Sequence, residues 1–270
     1  MHSPLIGADE LARLLEGEGC TLLDVRYRMG GPPGRQEFER GHVPGAAYVD
    51  LDSGLASAPG SRGRHPLPDP EVFEEAMRSC GVEDDRPVVV YDDWAGRAAA
   101  RCWWLLRWAG HPDVRVLDGG WSAWRASGGA SSTGPSTSRR GGFTVRPGQL
   151  SVLAADEVLD VARDHVLVDA REPERFRGET EPVDPVAGHV PGAVNVPTSR
   201  NLEADGRFRS AAELSAAYPH DGPVGVYCGS GVTACHDLLA LAVIGVDGVL
   251  YPGSWSEWVA DPARPVATGP

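Results

Sequence analysis

The chain has no long apolar run. None approaches the roughly 18 residues that a membrane-crossing helix needs, so no membrane partner is expected. It opens MHSPLIGADELARLL, with no basic segment followed by an apolar core, so no export signal is expected. Positive charge is scarce: 25 Lys and Arg stand against 38 Asp and Glu, a formal net charge of −13. That balance does not supply the basic surface that nonspecific nucleic-acid binding requires. Cysteine is sparse and odd in number: Cys20, Cys80, Cys102, Cys228 and Cys235. Their irregular spacing argues against a disulfide framework and for a reducing, cytoplasmic setting. Zinc spacing is absent too, because Cys228, Cys235 and His236 make neither CxxC nor HxxxH. No metal or organic cofactor is called for. What remains is 270 residues, 41% hydrophobic and 23% charged, an ordinary globular balance with length for two domains.

Four sequence blocks occur twice in the same order. LLDVRYRMG at 22–30 resembles LVDAREPER at 167–175, and GHVPGAAYVD at 41–50 resembles GHVPGAVNVP at 188–197. VVVYDDWAGRAAA at 88–100 aligns with VGVYCGSGVTACH at 224–236, and LDGGWSAW at 117–124 with YPGSWSEW at 251–258. A repeat half a chain long means two tandem domains rather than a solenoid. Between the copies lies a Gly-, Ser- and Thr-rich stretch without apolar period, which reads as a linker. The division expected is an N-terminal domain over 1–127, a linker over 128–147 and a C-terminal domain over 148–270.

Each half alternates short apolar runs with helical patterns. TLLDV and PVVVY read as strands, the second continuous enough to be buried on both faces. GADELARLLEGEG, PEVFEEAMRSCG and RAAARCWWLLRWAGH read as helices. The pattern predicts an α/β fold of two similar domains, each a mainly parallel sheet flanked by helices. Such sheets place ligands at the carboxyl ends of their strands.

At one such end an apolar strand, VGVY, stops at Cys228, and a helix begins near Thr233. The intervening loop, CGSGVT, holds Gly229 and Gly231, which relax the backbone restrictions of a tight turn. Converging amides and a helix N-terminus form an anion site, and such sites favour thiolates. Most cysteines are small core hydrophobes, and Cys102 and Cys235 fit that description. A loop of the Cys228 composition does not. The P-loop lysine is missing. The phosphate-binding arginine of a cysteine phosphatase would stand six positions after the thiol, where this chain has Ala234. In the first copy Asp92 occupies the position of Cys228, so that copy lacks the nucleophile and is expected to be inactive.

With both GHVPGA blocks, DVR and DAR, RFRGETEP, CGSGVTA and GSWSEW, the chain resembles the tandem-domain rhodanese superfamily of sulfurtransferases. The loop CGSGVTA is similar to that of 3-mercaptopyruvate sulfurtransferases. Thiosulfate enzymes of this form carry basic residues after the cysteine, where this chain has Gly229 and Ser230. The resemblance implies sulfur transfer from 3-mercaptopyruvate through a Cys228 persulfide to cyanide, thioredoxin or another thiol, with thiosulfate the alternative donor. It implies a Ser-His-Asp group that assists C–S cleavage, matched by Ser230, by His65 in GRHPLP and by Asp52 in VDLDSG. The last two come from the first copy, which would explain why an inactive half is kept. Arg175 matches the family's carboxylate-binding arginine, with Arg177 in reserve. Gly229, Gly231, Val232 and Thr233 are expected to line the donor site. A second substrate arginine is frequent after this motif, and its place falls near Asp184, a feature closer to the thiosulfate enzymes. A different class of reading is a noncatalytic sulfur carrier or redox sensor, with Cys228 persulfidated or oxidised without turnover.

Overall fold

The computed structural model describes residues 3–219 and 222–270. The chain forms two compact units. The first comprises Met1–Ala56, Pro68–Gln149 and Glu203–Phe208. Its strands are β1 (Leu5–Ile6), β2 (Thr21–Asp24), β3 (Ala47–Tyr48), β4 (Val88–Tyr91) and β5 (Val114–Leu117). They make one sheet in the order β1-β5-β4-β2-β3, with every pairing parallel. The second unit comprises Ser57–Leu67, Leu150–Leu202 and Arg209–Pro270. Its strands are β6 (Val166–Asp169), β7 (Val194–Asn195), β8 (Val224–Tyr227) and β9 (Gly248–Leu250). They too are parallel, in the order β7-β6-β8-β9.

In each unit the strand before the central loop lies inside the sheet. VVVY of β4 and VGVY of β8 are buried along their whole length, which is why they read as unbroken apolar runs. Helices cover the faces. Pro70–Ser79 starts on a proline at its first turn, and the Asp69 side chain accepts the Glu71 amide. Ala211–Ala217 starts on a reciprocal box between Ser210 and Glu213. Arg97–Trp108 and Ala234–Val243 follow the two central loops and are buried along most of their length.

The repeated blocks build the same scaffold twice. In DVR, Arg26 pairs with Asp24 at 3.0 Å and lies 4.8 Å over the Trp121 ring. In DAR, Arg171 pairs with Asp169 at 2.6 Å and lies 4.5 Å over the Trp255 ring. His42 and His189 stack on Phe38 and Phe176 at 3.9 and 3.7 Å. The Tyr91 and Tyr227 hydroxyls accept the amides of Val43 and Val190 at 3.0 and 3.1 Å. Both GHVPGA histidines are therefore parts of the scaffold.

The structure divides the chain differently from sequence order. The segment read as a linker carries little regular structure, yet it is fastened to the first unit. His42 and Ser132 exchange two backbone hydrogen bonds, and Phe143 is fully buried. The second unit repeats the arrangement at its own end, where His189 and Ala267 exchange backbone bonds. The linker's beginning is therefore the tail of the first copy. Residues 57–67, which precede the fourth helix of the first copy, belong by their contacts to the second unit.

Candidate functional site

Cys228 follows the last residue of β8, and the helix Ala234–Val243 begins six residues later. The thiol is buried, 1% exposed. The Gly231 amide donates to Cys228 Sγ at 3.2 Å, and the Cys228 amide donates to Ser254 Oγ at 3.1 Å. The Cys228 and Gly229 carbonyls accept the amides of Trp255 and Ser256, both at 2.9 Å. The loop is thus fixed from below by the GSWSEW segment. Ser254 holds a positive φ of 54° while fully buried, a conformation that non-glycine residues rarely adopt.

The two loop glycines serve different ends. Gly231 has φ +78°, and a Cβ there would lie 2.3 Å from the Pro252 carbonyl oxygen. Gly229 is not left-handed, and what it supplies is room. A Cβ on Gly229 would lie 3.0 Å from Arg64 Nη2 and 3.5 Å from Arg175 Nη1. Backbone freedom, expected of both glycines, is needed only at Gly231. Val232 is buried, and Thr233 stands at the helix N-cap without a side-chain capping bond.

Ser230 and His65 meet. Ser230 Oγ lies 2.8 Å from His65 Nδ1, across 165 residues of sequence. With a lone pair on Nδ1, the imidazole accepts the serine hydroxyl proton. Asp52 belongs to the first unit, exposed in the short helix Leu51–Gly54, whose cap is Asp50.

Arg175 faces the loop over Gly229. Its Nε and Nη2 donate to Glu181 at 3.0 and 2.6 Å, and Nη2 lies 3.4 Å from Asp184 Oδ2. Arg177 turns elsewhere: an exposed fork with Glu179 holds it at 2.7 and 2.9 Å. Its partner is two residues along the chain, and its side chain makes no hydrogen bond to the loop among the described residues. Arg171 is occupied by Asp169, by the Gly188 carbonyl at 2.6 Å and by Glu181 at 3.3 Å.

One residue at the site escaped the sequence reading. Arg64 pairs through Nη1 with Asp184 Oδ1, and its backbone amide donates to Ser256 Oγ at 3.1 Å. The signal was its place beside His65, since a segment that delivers one side chain to a site delivers its neighbours nearby. The carboxylates balance the cluster. Burial pushes the Asp184 carboxyl up, and Arg64 opposes that shift. Burial also acts to raise Glu181, but Arg175 and the Asp184 and Val183 amides hold it below the usual carboxylate range.

The other cysteines are core residues. Cys102 and Cys235 are fully buried, and Cys20 and Cys80 nearly so. Burial pushes the Cys20 thiol up to about 11 and raises Cys80 and Cys102 as well. Such thiols are poor nucleophiles.

The model of the rhodanese-like domain matches residues 7–127 and 154–261. SseB of Mycobacterium tuberculosis, provisionally named a thiosulfate sulfurtransferase, is 48% identical over 98% of this chain and 97% of its own. The 3-mercaptopyruvate sulfurtransferase of Escherichia coli is 36% identical over 97% of this chain and 96% of its own. Among solved structures, SseA from Escherichia coli matches with a TM-score of 0.84 and 33% identity, over 94% of this chain and all of that one. No helix among the described residues is long and apolar enough to cross a membrane. Two matched domains, and relatives that align along almost the whole length, place the chain in the rhodanese family, as a tandem-domain sulfurtransferase.

Proposed function

We propose that the enzyme takes sulfur from 3-mercaptopyruvate, holds it as a persulfide on Cys228 and passes it to cyanide or a thiol such as thioredoxin. The observation that carries the donor is the 2.8 Å contact of Ser230 with His65, two residues from the thiol. Thiosulfate already carries a good leaving group. Mercaptopyruvate does not, because breaking its C–S bond leaves an enolate that must be protonated.

The Cys228 thiolate attacks the donor sulfur. An S–S bond forms, the S–CH2 bond breaks, and its electron pair goes to the methylene carbon as the enolate of pyruvate. That carbon takes a proton, supplied through the Ser230–His65 pair, and pyruvate leaves. The acceptor then attacks the outer sulfur and returns Cys228 as thiolate; with cyanide the product is thiocyanate. The Gly231 amide at Cys228 Sγ supports negative charge on the inner sulfur in both half-reactions. Gly229 supplies the room above the loop that a donor needs, with Val232 and Thr233 closing the turn into the helix. Asp52 enters as third member of the Ser-His-Asp group through the resemblance alone. Five free cysteines support a reducing, cytoplasmic setting.

Thiosulfate is the second reading, favoured by the provisional name of the Mycobacterium tuberculosis relative and by Asp184 near the expected place of a second arginine. Thiocyanate formation from cyanide separates the two, measured with each donor and with Cys228→Ser as blank. Higher kcat/KM with mercaptopyruvate supports the proposal, and higher kcat/KM with thiosulfate overturns the donor assignment.

A further inference from the structure

We infer that Arg64 is a carboxylate-binding, donor-selecting residue of this site, acting with Arg175 above Gly229. The inference rests on the proposed donor for its chemistry. The chain contains no lysine, so all 25 of its fixed cations are guanidinium forks. Two of those forks converge on one point, because a Cβ on Gly229 would meet Arg64 Nη2 at 3.0 Å and Arg175 at 3.5 and 3.6 Å. Gly229 is the residue after Cys228, and consecutive Cα atoms are about 3.8 Å apart. In 3-mercaptopyruvate the carboxylate carbon lies three bonds from the sulfur, roughly 4 Å by standard bond lengths. A donor with sulfur at Cys228 is therefore long enough for its carboxylate to reach the two guanidiniums beside Gly229.

Arg64 is prepared for such a ligand. Asp184 holds its Nη1 side, and Ser256 fixes its backbone. Its Nε is buried and has no hydrogen-bond partner. Together with Nη2, the atom nearest Gly229, it forms the edge of the fork that Asp184 does not hold, and such an edge pairs with a carboxylate in two parallel bonds. A buried donor without an acceptor is costly in a resting protein and is satisfied when the ligand arrives. The other arginines nearby do not offer this. Arg171 is fully engaged with Asp169, Gly188 and Glu181, and Arg177 with Glu179. Asp184 acts on donor binding through Arg64 and is a positioning residue.

The test uses the full chain in two formats. In the Cys228→Ser background, pyruvate binding is measured by calorimetry with Arg64 intact, as Arg64→Gln and as Arg64→Lys. In the active enzyme, kcat and KM are compared for 3-mercaptopyruvate and for 1-mercaptopropan-2-one, which keeps the ketone and lacks the carboxylate. Loss of one charge-assisted pair weakens pyruvate binding about tenfold or more in Arg64→Gln. The kcat/KM ratio between the two donors falls by a similar factor, mostly through KM, and Arg64→Lys recovers part of both. Unchanged pyruvate binding in Arg64→Gln, no binding with Arg64 intact, or an equal loss for both donors overturns the inference. If 3-mercaptopyruvate is not turned over but Arg64→Gln still weakens pyruvate binding, the donor assignment fails and the carboxylate site stands.

Discussion

The loops after Tyr91 and Tyr227 stand at matching places in the two sheets and hold different acceptors. In the first unit, Asp92 Oδ1 accepts the amides of Trp94 and Gly96, both at 2.8 Å. Its Oδ2 accepts those of Ala98 and Ala99 at 2.8 and 2.9 Å. In the second unit, Cys228 Sγ accepts the Gly231 amide at 3.2 Å. Ala95 and Gly231, at matching positions, both have positive φ, 53° and 78°. Four backbone donors converge on the carboxylate and one on the thiol, so the first residue of the turn decides how many amides it holds and what they serve. A carboxylate fills the site permanently and makes it structural. A thiol leaves it able to exchange sulfur. Burial raises the Asp92 carboxyl, while the Ala99, Gly96 and Trp94 amides pull it down. A buried charge of this kind is tolerable only with such donors around it.

The largest expected effect separates the loops by chemistry. Cys228→Ser should lower sulfur transfer at least about a thousandfold, the loss typical of removing a nucleophile, as read by thiocyanate formation. Substitution of Asp92 should do the reverse. Asp92→Ala leaves four backbone amides, three of them buried, without an acceptor and should destabilise the first unit by about 3 kcal/mol or more, seen in its denaturant midpoint. Transfer per folded molecule should survive; proportional loss of transfer would mean that the first loop shares in the chemistry. Ser230→Ala should lower kcat with mercaptopyruvate about a hundredfold, the scale of general acid–base assistance, and touch thiosulfate turnover much less. Equal losses with both donors would remove the serine from proton transfer.

The Asp–Arg pairs of the two scaffolds predict a smaller difference. Arg171 grips Asp169 through Nε and Nη2 at 2.6 to 3.2 Å, whereas Arg26 reaches Asp24 through Nη2 at 3.0 Å. Burial raises the Asp24 carboxyl to about 7, against the pull of Arg26. Between pH ~4, where the unfolded carboxyl titrates, and about 7, folded Asp24 holds a proton that the unfolded chain has released. Stability of the first unit should fall as pH rises through that window. Asp24→Asn should flatten the slope, as followed by thermal unfolding at several pH values. The smallest effect is expected at the loop turn: Ala95→Gly relieves a left-handed residue but loosens the unfolded chain, and should shift stability by less than ~0.5 kcal/mol.

Much of this was legible in the residues. The strands TLLD, VVVY and VGVY and the helices Ala8–Glu16, Pro70–Ser79 and Arg97–Trp108 lie where periodicity and caps put them. The repeated blocks announced a scaffold built twice. The linker was harder, because its composition forbids regular structure without forbidding attachment, and buried Phe143 with the Ser132 backbone attaches it to the first unit. Arg177 was harder as well. Charge and spacing suit it as well as Arg175, and only the fold shows Glu179 closing a fork on it.

The sequence by itself determined the local architecture: two α/β copies, and one strand end that carries a thiol where its twin carries a carboxylate. These depend on patterns a few residues long, which survive whatever the rest of the chain does. The tertiary structure alone decided which distant side chains meet. His65 reaches Ser230 across 165 positions and Arg64 reaches Asp184 across 120. A charge or an imidazole acts on whatever group is near it in space, at distances of a few ångströms, and its place in the sequence does not name that group.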